Sequence, residues 1–319
     1  MDRLNYFILW LFFLFCCASA FGQKREVVIT FDDLPTSYEY TVQTKQELTK
    51  KLLQSIRSNN IPAIGFVNEG KLYAPGEIDE RTELLRMWLD AGLELGNHTF
   101  SHINLEKAPI EAYEEDVIRG ETVTRMLLAQ KNMRLRYFRH PQLFTGLTVE
   151  YQNALDTFLK KRGYTIAPVT IDNVDYVFAY AYYKAKQKGD TKTMSEVSEA
   201  YIPYMEKMFE FFEQLSRDSF GYEIKQVLLL HANDINADHL DKLVAMMKRR
   251  GYSFITLEEA LKDKTYNLPD AQMDRGVSWI HRWRKSKNLP AIEEPDAPEL
   301  IMKMFNEARQ QAQKQNKPK

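Results

Sequence analysis

Two aspartates stand side by side at positions 32 and 33, where the apolar run Val27–Phe31 gives way to a leucine and a proline. Two histidines four residues apart, His98 and His102, lie in the stretch GNHTFSH. Farther along come Arg139 in FRHP, Asp172 and Asp175 in DNVDY, and His231 at the end of LLLH. Taken singly, each has an ordinary explanation: acids after a strand solvate a loop, and a histidine pair at this spacing is more often incidental than a metal site. Together they describe a chemistry. Two imidazoles and one carboxylate bind a divalent cation and leave a coordination position open, as in catalytic rather than structural zinc sites. Such a cation lowers the pKa of water beside it towards about 7 and polarises a carbonyl oxygen. It also offsets the repulsion between adjacent carboxylates, so that Asp33 can serve as ligand while Asp32 takes a proton from water. The spacing of His98 and His102 fits one helical turn, which would set both rings on one side.

The elements that must position these residues follow from periodicity. Short strand-like runs occur at 27–31, 63–67, 93–95, 135–138, 165–171, 227–230 and 253–256. Between them, 45–59, 80–91, 110–130, 149–162 and 237–250 carry apolar residues three and four apart, the helical period. DAGLEL, KRGYTI and RRGYSF each place a glycine at a helix end immediately before a strand, the left-handed cap of a helix-to-strand connection. This is repeated βα architecture with a parallel sheet, and about seven strands predict a closed or nearly closed barrel. In such folds the chemistry gathers at the carboxyl ends of the strands. Asp32 and Asp33, His98 and His102, Arg139, Asp172 and Asp175, and His231 all fall there. The stretch from Tyr176 to Val227 is long for one βα unit, and its aromatic stripe (Tyr201, Tyr204, Met205, Met208, Phe211, Phe212, Leu215) reads as a core-facing helix. GVSWIHRW reads as a packed terminal helix, and the tail from about Lys303 as polar and frayed.

The chain has 319 residues, is 44% hydrophobic and carries 43 basic against 44 acidic residues, a net charge of −1. That balance gives no electrostatic reason to invoke nucleic acid or an anionic membrane surface. Residues 1–20 have the apolar core and the small-residue Ala18-Ser19-Ala20 site of a signal peptide, which predicts export to a periplasmic or secreted location with no membrane span after cleavage. A lipid-modified Cys17 is the minor alternative. Both cysteines lie in this segment, which leaves the mature domain without a cysteine nucleophile, a cysteine metal site or a disulfide.

TFDDLP, NHTFSH, FRHP, DNVDY and LLLH, in this order, resemble the five motifs of NodB-type polysaccharide deacetylases, the family-four carbohydrate esterases. The resemblance runs from about Val27 to Leu261. It implies a deformed (β/α) barrel holding one divalent metal, usually zinc, that hydrolyses N-acetyl groups on aminosugars. On that resemblance Asp32 would be the catalytic base and Asp33, His98 and His102 the metal ligands. Arg139 would orient the base, Asp175 would tune the acid, and His231 would be the general acid, with Tyr176 and Leu229 touching substrate. Three departures are visible: Leu34 replaces a usual glycine, FRHPQLFTG is longer than the usual third motif, and Tyr176 stands where tryptophan is common. They bear on substrate fit more than on the metal.

The expected organisation is a signal peptide over 1–20, a catalytic domain over 24–268 with a helical insertion near 178–225, and a helical extension with a polar tail over 269–319. The expected activity is metal-dependent deacetylation of an N-acetylated glycan, chitin-like or peptidoglycan-like. The alternatives are an O-acetyl esterase or small-amide hydrolase with the same centre, and a non-catalytic carbohydrate-binding protein on the same scaffold. Asp172, His140, His239, His281 and Asp234 read as supporting residues of loops and helix starts.

Overall fold

The computed structural model describes residues 24–315, so the expected leader and both cysteines lie outside the described residues. Seven strands form one parallel sheet: β1 Arg25–Leu34, β2 Ile64–Val67, β3 Glu94–Asn97, β4 Tyr137–Phe138, β5 Thr165–Ile166, β6 Gln226–His231 and β7 Tyr252–Phe254. The order is β5-β4-β3-β2-β1-β6, with β7 paired to the first residues of β1. Beyond β5 the chain crosses to β6, and a parallel bridge between Ile171 and Leu228 curls the sheet into a barrel. β5 is shorter than its apolar run predicts because Pro168 has no N–H to give the ladder.

β1 is the central strand and is covered on both faces, which is why it reads as a continuous apolar run. Val28 turns into the barrel with Ile64, Phe66, Tyr137, Ala167 and Val227. Val27, Ile29 and Phe31 face outward into the larger core beneath the helices.

Around the barrel lie α1 Val42–Ser58, α2 Ile78–Asp90, α3 Ile110–Arg119, α4 Thr122–Gln130, α5 Val149–Lys161 and α6 Asp175–Lys188. They are followed by α7 Thr191–Phe220, α8 Asp234–Arg249, α9 Leu257–Ala260, α10 Trp279–Ser286 and α11 Glu299–Gln315. Gly92, Gly163 and Gly251 have φ of 76°, 82° and 86°, the left-handed caps predicted at these helix ends.

Two expectations change and one holds. The single helix predicted over 110–130 is two, α3 and α4. They break at Gly120, where a Cβ would come within 2.6 Å of the backbone of Thr99 and Phe100. The long connection before β6 is the helix pair α6 and α7, with Tyr201, Met205, Met208 and Phe212 fully buried, in agreement with a core-facing stripe. The tail is not frayed from Lys303: α11 packs on α6, with Ile301 buried and Phe305 edge-on to Tyr176 and Tyr180 at 6.0 and 5.6 Å.

Candidate metal and proton-transfer site

In a regular strand, neighbouring side chains point to opposite faces. Asp32 and Asp33 should therefore diverge, and they do not. The register of β1 on β2 shifts between Phe31 and Leu34, and Asp33 adopts φ of 70°. That left-handed residue turns the second carboxylate back to the same end of the barrel as the first. Asp32 Oδ2 lies 3.7 Å from His98 Nε2, and Asp33 Oδ1 lies 3.8 Å from His102 Nε2. Leu34, where a glycine is usual, fits because position 65 beneath it is glycine: a Cβ there would meet Leu34 Cδ2 at 2.5 Å.

His98 follows β3, and its N–H extends the ladder to the Val67 carbonyl at 2.9 Å. The helical turn predicted for 98–102 is absent. The segment is a loop in which Thr99 and His102 take φ of 65° and 56°, and it brings the two rings to 4.9 Å between centroids. His98 Nδ1–H donates to the Arg139 carbonyl at 2.8 Å, which leaves Nε2 as the lone-pair nitrogen. This is the outer-shell contact that fixes the tautomer of a metal-ligating histidine.

One ligand atom from each of Asp33, His98 and His102 lies within 4.8 Å of the others. Burial, aided by His102, holds the His98 imidazole well below its ordinary pKa, and burial also lowers that of His102. Burial raises the Asp33 carboxyl, but Lys71 and His102 outweigh it and hold it below the usual carboxylate range. Two neutral imidazoles and an ionised carboxylate are the donor set a divalent cation such as zinc requires.

Asp32 is 2% exposed, and its carboxyl is pushed up to about 6 by burial, with Arg139 and His231 pulling against that rise. Arg139 is fully buried beside it, Nη1 3.6 Å from Asp32 Oδ2, with Nη2 donating to Thr30 Oγ1 at 3.0 Å. Asp32 Oδ1 has no hydrogen-bond partner among the described residues. It is therefore the oxygen available to accept a proton.

β1 and β6 pair in parallel, with Asp32 directly opposite His231. Neighbouring strands lie about 4.8 Å apart, so base and acid positions sit side by side at adjacent strand ends. His231 Nδ1 donates to Asp175 Oδ1 at 2.7 Å, leaving Nε2 as the atom that can exchange a proton. Asp175 Oδ2 accepts from the His231 N–H at 3.0 Å and from Asn236 Nδ2 at 2.8 Å. Burial lowers the His231 pKa, but the Asp175 charge and hydrogen bond outweigh it and carry it to about 9.

Tyr176 is 47% exposed on the first turn of α6. Leu229 is buried in the core at 5%, its carbonyl held by Asn173 Nδ2 at 2.7 Å. Asp172 accepts from the Asn173 N–H at 2.8 Å, the loop role expected of it. His140, expected in a loop, is fully buried beneath Phe138. His239 bonds Ser198 and His281 bonds Glu294, each at 2.9 Å, as structural histidines do. Asp234 does more than start a helix: Asn233 is the cap of α8, and Asp234 pairs with Tyr40 and Lys186.

Sequence reasoning missed Asn236, whose Nδ2 bridges Asp175 and the His231 carbonyl, although an asparagine at a helix start just after LLLH was a signal. It also missed Thr30 and Lys71. Nothing in their local sequence marks them, because each acts across the barrel or from a separate turn.

A family model described as polysaccharide deacetylase matches residues 21–167. Among curated proteins, the peptidoglycan-N-acetylglucosamine deacetylase of Bacillus cereus is 24% identical over 243 residues, covering 73% of this chain and 67% of that protein. An uncharacterized 30.6 kDa protein of Geobacillus stearothermophilus is 23% identical over 249 residues, covering 77% of this chain and 74% of that one. Among solved structures, the wild-type CE4 family pseudoenzyme from Bacillus anthracis superposes with a TM-score of 0.50 at 16% identity, over 75% of this chain and 66% of that one. At that identity the likeness concerns the fold, a curled parallel half-barrel ringed by helices.

Proposed function

We propose, from the premise that this chain belongs to the polysaccharide deacetylase family, that it is a zinc-type metal-dependent hydrolase releasing acetate from N-acetylated aminosugar glycans. One observation carries the reading. The triad Asp33, His98 and His102, the unpartnered oxygen of Asp32, and the His231–Asp175 pair all converge on one end of one barrel. Because a pseudoenzyme shares this fold, the fold itself argues nothing about turnover; the complete residue set does. A binding protein has no need of base, ligands and acid together.

Asp33, His98 and His102 would hold the cation, which when bound supplies Lewis acidity towards the acetyl carbonyl and lowers the pKa of water beside it. The residues of the chain do the proton work. Asp32, ionised, takes the proton of the attacking water through Oδ1, with Arg139 keeping the carboxylate charged and in place. His231 Nε2–H gives its proton to the amine as the carbon–nitrogen bond breaks, and Asp175 holds the ring with Nδ1–H inward. Tyr176, exposed at the mouth, offers an aromatic face to a sugar ring.

The test is acetate release from N-acetylated chito-oligosaccharides, with and without a chelator. Release that a chelator abolishes and added zinc restores supports the proposal; release of acetate only from O-acetylated sugars favours the esterase. His98→Ala and His102→Ala are each expected to lose most of the bound metal and the activity while keeping the far-ultraviolet circular dichroism of the parent. Stoichiometric metal in the double variant would remove these residues from the site. The leader at 1–20 adds the proposal that the protein is exported, with a mature chain beginning near Phe21. Intact mass of the exported form measures this, and a lipid-modified Cys17 at its amino terminus would mean a membrane anchor instead.

A further inference from the structure

We propose that Lys71 is a resident counter-cation of the ligand triad: it holds Asp33 in place before metal arrives and lowers the affinity of the site for metal. The proposal rests on the metal reading above and concerns a residue outside the ligand, base and acid set.

Lys71 Nζ lies 3.2 Å from Asp33 Oδ1, the same oxygen that faces His102 Nε2 at 3.8 Å. It also donates to the backbone carbonyl of Asp33 at 3.2 Å. One ammonium thus grips both the carboxylate and the peptide of a residue whose φ of 70° is unfavourable for a side chain with a Cβ. The grip comes from a rigid base. Lys71 sits in the 3-10 turn Glu69–Leu72, and its own carbonyl accepts from Arg81 Nη1 at 2.7 Å. Gly70 N–H donates to the Phe100 carbonyl at 2.8 Å, which ties the turn to the loop between His98 and His102. Glu69, fully buried, accepts from the N–H groups of Val123 and Thr124 at the start of α4 at 3.0 and 2.6 Å. The Lys71 side chain is 23% exposed, so its charge is only partly screened by solvent.

In the metal-free site the Lys71 ammonium balances the Asp33 carboxylate that it touches. Without the ammonium, Asp33 loses its nearest cation and keeps its charge on a strained residue. A divalent cation entering beside Lys71 meets repulsion from it and a carboxylate already engaged in an ion pair. The same contact therefore stabilises the metal-free chain and weakens metal binding. A purely structural prop predicts the opposite sign, since its loss would loosen Asp33 and weaken the site.

The experiment uses the mature chain stripped by chelator and titrated with Zn2+ alone, against a competing chromogenic chelator, in the parent and in Lys71→Gln, Lys71→Met and Lys71→Arg. The neutral variants are expected to bind Zn2+ more tightly by roughly 10–100-fold, the scale on which outer-shell contacts act. Their metal-free forms should melt at lower temperature than the parent, and Zn2+ should raise their melting temperature by more, because stabilisation by a ligand grows with the logarithm of its concentration relative to its Kd. Lys71→Arg, which keeps the charge, should stay near the parent. Lys71→Met serves where Lys71→Gln does not fold. Unchanged or weaker Zn2+ binding in the folded neutral variants overturns the proposal and leaves Lys71 a prop at most. A parent that does not bind Zn2+ while remaining folded overturns the metal reading itself and the proposal with it.

Discussion

Asp32→Asn is expected to retain stoichiometric metal and to lose roughly 10²–10⁴-fold in turnover, the range for removal of a positioned general base. The side chain keeps its shape, so substrate binding should change little. Its charge is what disappears, and with it the ability of Oδ1 to accept a proton. Arg139 makes the experiment informative in a second way. Its guanidinium is fully buried, with Nε and Nη1 lacking hydrogen-bond partners among the described residues and Asp32 3.6 Å away. Removing one member of a buried ion pair typically costs about 3–5 kcal/mol, because the other charge is left uncompensated. The variant should therefore melt lower as well as work more slowly, and a double variant with Arg139→Met should regain stability without regaining rate. Asp33→Asn should show the converse phenotype, with metal lost first. If Asp32→Asn sheds the metal and Asp33→Asn keeps it, the two roles are exchanged.

The second large effect is on the pH profile. Asp32 must be ionised to act and is pushed up to about 6; His231 must be protonated and is carried to about 9. The rate should rise as pH climbs through the first value, hold between them, and fall as pH passes the second. Bound metal adds positive charge near Asp32 and shifts the acidic limb lower, since a nearby cation favours the carboxylate. Asp175→Asn removes the charge and much of the hydrogen bonding that sustain the imidazolium, while the burial that opposes it remains. Its alkaline limb should therefore move to lower pH, with reduced rate and unchanged metal content. His231→Ala should harm amide substrates far more than activated aryl acetates, because an amine leaving group needs the proton and a phenolate hardly does. Equal losses on both substrates would assign His231 to structure or to substrate placement, and the esterase alternative would gain ground.

How much of this could be read from sequence depends on the range of the interaction that fixes each residue. Strands and most helices were legible because apolar period and glycine caps are local signals, and chemistry at strand ends follows once strands are known. The convergence of Asp32 and Asp33 was legible only as a question. Its answer, a left-handed Asp33 and a register shift, depends on how β1 meets β2. The histidine pair was found by spacing, but the spacing suggested a helical turn where a loop with two left-handed residues does the work. The split at Gly120 was invisible because its cause is the backbone of Thr99 and Phe100, some twenty residues upstream. The packing of α11 on α6 was missed because a Gln- and Lys-rich tail hides the few residues, Ile301 and Phe305, that dock.

The barrel is not equally strong all the way round. Between β1 and β6 runs a ladder six residues long, whereas between β6 and the chain after β5 there is the single Ile171–Leu228 bridge with a few flanking contacts. Asp32 and His231 stand on the strong side, but Asp175 reaches His231 from across the weak one. Proteins open first where few backbone hydrogen bonds resist. Partial opening along this seam would separate the acid from its carboxylate while the base, the ligands and their strands stayed assembled. An opening of that kind would be felt as a drop in the basicity of one histidine with the ligand set intact. An opening confined to this seam would cost proton supply rather than metal retention.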